Sequence, residues 1–209
     1  MKESPFRPAP LIGMVLLASL LWFITFALGG IFSFWVKISV SAATLAGLSL
    51  FLQPPHREEF RFDARAIALG LIAAAALYLV FWMGKAVSTT LFDFAGRQIG
   101  GIYTKAAEMP MGGIALLLFF VTGPSEEIFW RGYLQRQLMK RFGRWPGWAL
   151  ATAVYAGVHV CSLNFMLVGA AAVAGGFWGA MYARCGNLAP VIVSHSVWSA
   201  VIFAVFPMQ

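Results

Sequence analysis

The stretch Ser125-Glu126-Glu127-Ile128-Phe129-Trp130-Arg131-Gly132 places two adjacent carboxylates and an arginine between long apolar segments. A charged side chain at the centre of a bilayer costs about 2.5–3.5 kcal/mol on insertion scales, so three charges in one segment indicate pairing or function. Gly123-Pro124 precedes the stretch and Ser125 is a favoured N-cap residue. The pattern therefore predicts a break at Gly123-Pro124 and a new helix from Glu126.

The two glutamates of this stretch are predicted to differ in role. Glu127 and Arg131 are one helical turn apart, a spacing that allows an ion pair. Glu126 lies about 100° around the helix from that pair. The spacing therefore predicts one paired carboxylate and one that is available for other work.

The composition identifies the medium that surrounds these charges. The chain has 209 residues, of which 60% are hydrophobic and 11% are charged, and its mean hydropathy is +0.79. Soluble domains carry about 25% charged residues, so the chain is predicted to be an all-α, polytopic transmembrane bundle with its site inside the bilayer. The net charge of +7 does not indicate nucleic acid, because the basic residues form short clusters between apolar spans.

The apolar segments predict about seven to eight membrane helices in one integral membrane domain, residues 1–209. A polar lead, residues 1–10, comes first, and a polar connection at residues 93–111 is predicted to be partly an interfacial helix. The Gly175-x-x-x-Gly179 spacing favours close helix packing. The predicted spans are Leu11–Leu28, Ile31–Leu52, Ala66–Phe92, the segment from Gly112 through the Glu126 helix, Trp148–Leu163, Met166–Tyr182 and Ala189–Phe206.

The basic residues predict the orientation of the chain. With the N-terminus in the cytoplasm and alternating spans, ten Lys and Arg residues lie on the cytoplasmic side and four on the other. This distribution satisfies the positive-inside rule. The ten are Lys2, Arg7, Arg57, Arg61, Arg65, Arg136, Lys140, Arg141, Arg144 and Arg184, and the four are Lys37, Lys85, Arg97 and Lys105.

Two histidines lie within predicted spans, at a depth similar to that of Glu126. His159 follows Tyr155 by one turn, and His195 precedes Ser199 by one turn. A rise of about 1.5 Å per residue places Glu126, His159 and His195 roughly 12–18 Å from the cytoplasmic ends of their helices. We therefore expect the three side chains to meet in one layer, although a lone intramembrane histidine can simply bond a neighbouring helix.

These residue types suit hydrolysis by an activated water. A carboxylate in a dry cavity is a stronger base than in water, so Glu126 can take a proton from water while His159 orients it. His195 and Ser199 can donate hydrogen bonds to the oxyanion that forms when water attacks a carbonyl. The same carboxylate and imidazole groups are also zinc ligands, and the spacing leaves this alternative open.

In order and spacing these motifs resemble the CPBP family, also called the Abi family, of intramembrane proteases related to type II CAAX prenyl endopeptidases. The resemblance covers about residues 110–206, with Tyr155 in place of the usual Phe and Ser199 in place of the usual Asn. It implies residues 1–110 as N-terminal spans and 111–206 as the catalytic core. The implied site is Glu126 as base, assisted by His159, with His195 and Ser199 at the oxyanion and Glu127 and Arg131 as further motif residues.

The resemblance also implies a function. The chain is expected to be an endopeptidase that cleaves a membrane-associated or lipidated protein or peptide near its C-terminus, without a cofactor, in a bacterial inner membrane. The alternatives are a zinc-dependent intramembrane protease and a non-catalytic transporter or immunity-type membrane protein. A transporter is expected to show inverted repeats, and none occurs in the sequence.

Overall fold

The computed structural model describes residues 8–30 and 32–208, so the predictions for Lys2, Arg7 and Ile31 lie outside the described residues. Within these ranges the chain is almost entirely helical and contains no strand, which confirms the all-α prediction. Its eight helices are α1 (Pro8–Ala27), α2 (Phe34–Leu52), α3 (Ala64–Leu91), α4 (Ala95–Tyr103), α5 (Met111–Phe142), α6 (Arg144–Val158), α7 (Phe165–Cys185) and α8 (Ala189–Val205).

Five of these helices, α1, α2, α3, α5 and α7, are long and apolar enough to cross a membrane. Helix α8 is shorter, and α6 has 15 residues. Large apolar side chains of α1 and α3, such as Leu16, Phe23 and Trp82, are exposed, as expected for surfaces that face lipid. The protein is an integral membrane protein built as a helical bundle.

Local sequence explains most of the helix ends. Ser33, Asp63 and Asn164 accept hydrogen bonds from backbone N–H groups in the first turns of α2, α3 and α7, which satisfies donors that a helix start leaves open. Gly143 follows α5 with φ of 90°, and Gly186 follows α7 with φ of 61°. Glycine adopts these left-handed values without the steric cost of a side chain.

The predicted break before Glu126 is wrong, because α5 runs through Gly123-Pro124 without interruption. The predicted N-cap role of Ser125 is wrong for the same reason: Ser125 lies inside α5. A π-helical turn at Leu118–Thr122 precedes the proline, and the Gly123 N–H bonds to the Leu118 carbonyl five residues back. Since a proline lacks an N–H and crowds the preceding turn, the wider π turn lets the helix continue past it.

The polar connection at residues 93–111 contains a helix, as predicted. Helix α4 occupies Ala95–Tyr103, and a 3-10 turn follows at Thr104–Glu108. Gln98 of α4 accepts a hydrogen bond from the Asn164 side chain (2.8 Å) through its backbone oxygen. Its side-chain oxygen accepts one from the Met166 N–H (3.0 Å), so α4 is fixed to the start of α7.

Glycines bring the helices of the second half close together. A Cβ atom at Gly175 would lie 2.7 Å from the Tyr155 ring, and one at Gly179 would lie 2.7 Å from Gln135 Oε1. The predicted close packing at Gly175 and Gly179 is therefore confirmed, and it brings α7 against α5 and α6. Gly123 allows a similar approach of α5 to Ser196 on α8. These contacts surround one face of α5 with α6, α7 and α8.

Candidate active site

A stripe of buried polar side chains follows the enclosed face of α5. All six are at most 8% exposed, although four of them carry a formal charge. The second π turn of α5, Trp130–Gln135, lies within this stripe. Such turns shift the helical register, and they occur often at functional sites. The stripe consists of Thr122, Glu126, Glu127, Arg131, Gln135 and Arg136.

Glu127 and Arg131 form the predicted ion pair, which is confirmed. Arg131 Nη1 donates to Glu127 Oε1 at 2.8 Å, and neither side chain is exposed by more than 2%. Arg131 Nη2 donates to the Gly175 carbonyl at 3.1 Å. A buried charge needs a partner and satisfied hydrogen bonds, and the bare backbone at Gly175 supplies an acceptor that a larger residue would cover.

His195 joins this pair, a contact that the sequence did not predict. Its Nδ1 lies 2.6 Å from Glu127 Oε1, the oxygen that also accepts from Arg131. The imidazole stacks on Trp178 with ring centroids 3.9 Å apart and planes 15° apart, and Trp178 donates to Ser194. Glu127 therefore fixes one ring nitrogen of His195. No hydrogen bond of the other, Nε2, occurs within the described ranges.

Ser199 lies one turn beyond His195 on α8 and is 3% exposed. Its hydroxyl makes no hydrogen bond to any residue among 8–30 and 32–208. Ser196, on the same helix, is also buried and its hydroxyl has no partner in the described chain. Ser199 therefore shares helix α8 with His195, but its hydroxyl forms no hydrogen bond with the other site residues of the described chain.

Glu126 occupies a different environment from Glu127, as predicted. Its Oε2 accepts a hydrogen bond from the Tyr155 hydroxyl at 2.9 Å, and the carboxylate is 6% exposed. It forms no ion pair with a residue of the described ranges, and its side-chain hydrogen bond there is the one from Tyr155.

His159 lies where α6 passes into the 3-10 turn His159–Ser162. Both of its ring nitrogens are engaged: Nδ1 lies 2.8 Å from the Tyr155 carbonyl, and Nε2 accepts from Trp22 Nε1 at 3.2 Å. Because Tyr155 bonds Glu126 through its hydroxyl and His159 through its carbonyl, it links the two predicted site residues. The Arg131 guanidinium lies over the Tyr155 ring, 4.9 Å from its centroid.

The arrangement holds two carboxylates, one guanidinium and two imidazoles in a buried network. Arg131 balances the charge of one carboxylate, Glu127. Within residues 8–30 and 32–208, no three His, Cys, Asp or Glu side chains converge in a way that could hold a metal ion. Glu127 Oε1 accepts from both Arg131 and His195, whereas the buried Glu127 Oε2 has no hydrogen-bond partner among the described residues. The two ring nitrogens of His159 contact Trp22 and the Tyr155 carbonyl.

A second buried polar cluster lies at the end of the stripe. Arg136 Nη1 contacts Glu59 Oε1 at 2.9 Å, and its Nη2 donates to the Gln53 carbonyl at 2.7 Å. The Tyr182 hydroxyl donates to Glu59 Oε2 at 2.7 Å. The cluster ties the loop between α2 and α3 to α5 and α7. It leaves no group directed at Glu126, so we assign it a structural role.

Sequence reasoning missed Trp22, Trp178 and Glu59. Tryptophan is common in membrane proteins, so neither indole stood out from the other six. Glu59 lies in a charged loop, where a solvated side chain is the usual outcome. The order of the chain gives no signal for these contacts, since each joins residues far apart in sequence.

A family model described as "Type II CAAX prenyl endopeptidase Rce1-like" matches residues 110–201. The match covers α5, α6 and α7 and most of α8, and it includes every predicted site residue. No curated protein and no solved structure matches the chain. Through this segment, which holds the buried glutamates and both intramembrane histidines, the chain is similar to the Rce1-like family of CAAX-type intramembrane endopeptidases.

Proposed function

We propose that the protein hydrolyses a peptide bond near the C-terminus of a membrane-anchored or lipidated protein, with Glu126 as the base that activates water. The observation that carries the proposal is the difference between the two adjacent glutamates. Glu127 is held by Arg131 and His195, whereas Glu126 is buried beside them without an ion-pair partner. A carboxylate that is buried and unpaired is suited to accept a proton.

In the proposed reaction the water oxygen attacks the carbonyl carbon as one of its protons moves to Glu126. The carbonyl oxygen becomes an oxyanion. The carbon–nitrogen bond then breaks, and the proton held by Glu126 passes to the leaving amine. The products are a new carboxylate and a new N-terminus, and Glu126 returns to its starting state.

His195 is proposed as the main oxyanion donor. Its Nδ1 faces Glu127 Oε1, so Nε2 carries a hydrogen only when the ring is an imidazolium. His195 is proposed to donate to the oxyanion in that form. Ser199 is proposed as a second, weaker donor.

Several further features of the function are also proposals. Substrates are delivered by the bilayer, as lipidated tails or C-terminal membrane anchors. The membrane is proposed to be a bacterial inner membrane, with the N-terminus of the chain in the cytoplasm. No cofactor takes part. The sequence of the first four helices, which lies outside the matched segment, is proposed to shape access to the site.

Glu126→Gln tests the proposed base directly. The purified protein, reconstituted in liposomes with a farnesylated peptide that ends in three further residues, is expected to release the C-terminal fragment. Glu126→Gln should lower this rate by about 10²–10⁴, the usual contribution of a positioned base. Mass spectrometry of the products in H₂¹⁸O should place one heavy oxygen in the new carboxylate.

The matched control is Glu58→Gln, because Glu58 is an exposed glutamate of the loop between α2 and α3. It should cleave at the parent rate. Cleavage by purified Glu126→Gln at the rate of Glu58→Gln would exclude Glu126 as the base.

A further inference from the structure

Trp22 of α1 occupies the ring nitrogen that a water would use on His159. The indole Nε1 donates to His159 Nε2 at 3.2 Å, and Trp22 is completely buried. Its ring also meets Trp130 edge-on, with centroids 5.6 Å apart. The two residues are 137 positions apart in the sequence: Trp22 lies outside the segment that the family model matches, and His159 lies inside it.

The two contacts of His159 define its protonation. An indole nitrogen can only donate, so His159 Nε2 accepts and carries no hydrogen. The Tyr155 carbonyl can only accept, so the hydrogen lies on Nδ1. His159 is therefore a neutral imidazole whose single acceptor is already taken. A water beside Glu126 cannot be oriented by His159 Nε2 while Trp22 remains in place.

Helix α1 joins the bundle mainly through apolar packing. It carries no charged residue, and its buried side chains form one stripe, Leu11, Met14, Ala18, Trp22 and Thr25. In the described chain its side chains make two hydrogen bonds to other helices or turns, Trp22 to His159 and Thr25 to Ser41. Inside a bilayer no hydrophobic driving force holds helices together, so α1 depends on van der Waals packing and on these two hydrogen bonds.

The connection after α1 allows the helix to change direction. Gly29 and Gly30 follow it directly, and a Cβ atom on either would meet nothing within 4 Å. Glycines in an open connection absorb large backbone changes. The surface that α1 covers is apolar and includes Phe129, Trp130 and Val158 beside Tyr155. An apolar helix already fits this surface, so an apolar membrane segment of another chain fits it too.

We propose that α1 is a lateral gate, and that the surface beneath it receives the apolar, membrane-embedded segment of the substrate. This inference rests on the proposed function. Movement of α1 withdraws Trp22 from His159 Nε2, frees that nitrogen for the water, and opens the face of α5 and α6 to the bilayer. The rival entrance is an apolar cavity of about 370 Å³ between α3, α4, α7 and α8, which Trp198 lines.

A disulfide between α1 and α2 tests the gate. The side-chain oxygens of Thr25 and Ser41 lie 3.4 Å apart, so the two side chains face each other between α1 and α2, and cysteines at these positions are expected to form a disulfide. Thr25→Cys with Ser41→Cys is made in a background with Cys161→Ser and Cys185→Ser, since both native cysteines are free. Oxidised protein is expected to cleave the farnesylated peptide at least tenfold more slowly than the same protein after reduction.

The two single-cysteine variants are the controls and should be indifferent to oxidation. The gate would be overturned if the cross-linked protein cleaved the peptide as fast as the same protein with its disulfide reduced. A loss of cleavage activity in Gly84→Leu, which fills the cavity, would then place the entrance at the cavity. Absence of cleavage by the parent protein would instead defeat the proposed function, and the gate with it. The two failures are therefore distinguishable.

Trp22→Phe provides a second test that needs no cross-link. The ring stays and the donor to His159 is lost, so the gate predicts cleavage about threefold faster, the value of an average hydrogen bond between membrane helices. Trp35→Phe is the matched control, because Trp35 is buried and donates to the Lys105 carbonyl on another part of the chain. A lower kcat in Trp22→Phe than in Trp35→Phe would make Trp22 a positioning residue and overturn the gate.

Discussion

At the scale of single residues, two neighbouring glutamates have opposite tasks because α5 directs them to different partners. Glu127 faces Arg131 and His195, and Glu126 faces the Tyr155 hydroxyl. The sequence predicted the Glu127–Arg131 pair from spacing alone, since residues four apart share one face of a helix. It could not predict that His195 shares the same carboxylate oxygen, because that contact depends on how α8 packs.

The partners of His195 and Ser199 predict an unequal division of the oxyanion role. His195 is fixed by Glu127 and by the stacked Trp178, whereas the Ser199 hydroxyl has no partner in the described residues. His195→Ala should therefore lower the cleavage rate by about 10²–10³, the usual loss for one oxyanion donor. Ser199→Ala should lower it much less, and Ser199→Asn should be tolerated.

Steady-state cleavage of the farnesylated peptide in liposomes measures all three variants. Thermal unfolding in detergent shows whether each variant remains folded. An equal loss in Ser199→Ala and His195→Ala would make the serine a full partner. Full activity of both variants would remove α8 from the oxyanion site.

At the scale of helices, α5 shows that a local sequence signal for the end of a helix can be overridden. Gly123-Pro124 is a common signal for the end of a helix, and it was misleading here because a π turn at Leu118–Thr122 absorbs the proline. Periodicity predicts which residues share a face, but it contains no signal for a π turn. The helix therefore continues for 32 residues and carries the buried stripe along one face.

The close packing of α7 at Gly175 is expected to affect the cleavage rate. A Cβ at Gly175 would lie 2.7 Å from Tyr155, whose hydroxyl donates to Glu126. The Gly175 carbonyl accepts a hydrogen bond from Arg131. Gly175→Ala should displace Tyr155, destabilise the protein by about 1–3 kcal/mol and lower the cleavage rate. Gly169→Ala on the same helix is the control, since its Cβ would meet nothing within 4 Å.

Thermal unfolding and cleavage rates of the two variants measure this prediction. Gly169→Ala should match the parent in both. Equal behaviour of Gly175→Ala and Gly169→Ala would show that Tyr155 relaxes without consequence, and that the close approach of α7 is not needed for activity.

At the scale of the whole molecule, the sequence predicted the medium and the helices better than their assembly. Hydropathy marks apolar spans directly, so the ends of most helices lie within a few residues of prediction. The sequence did not predict the roles of Trp22, Glu59 and Trp178, because these roles depend on contacts between separate segments of the chain. Glu59 is the clearest case: Arg136 and Tyr182 draw a loop carboxylate into the bundle.

The assembled network also predicts that activity needs no metal. Zinc prefers four ligands, usually with imidazole or carboxylate groups that are free to turn toward it. Here Glu127 Oε1 accepts from both Arg131 and His195, so a metal bound to that oxygen or to His195 Nδ1 would have to break these buried contacts. Each break leaves a charge or a polar group without its partner. Purified protein is therefore expected to contain far less than one zinc per chain by elemental analysis, and to cleave the farnesylated peptide at an unchanged rate after dialysis against a chelator. About one zinc per chain, with activity lost on its removal and restored by its return, would assign the site to the zinc mechanism instead.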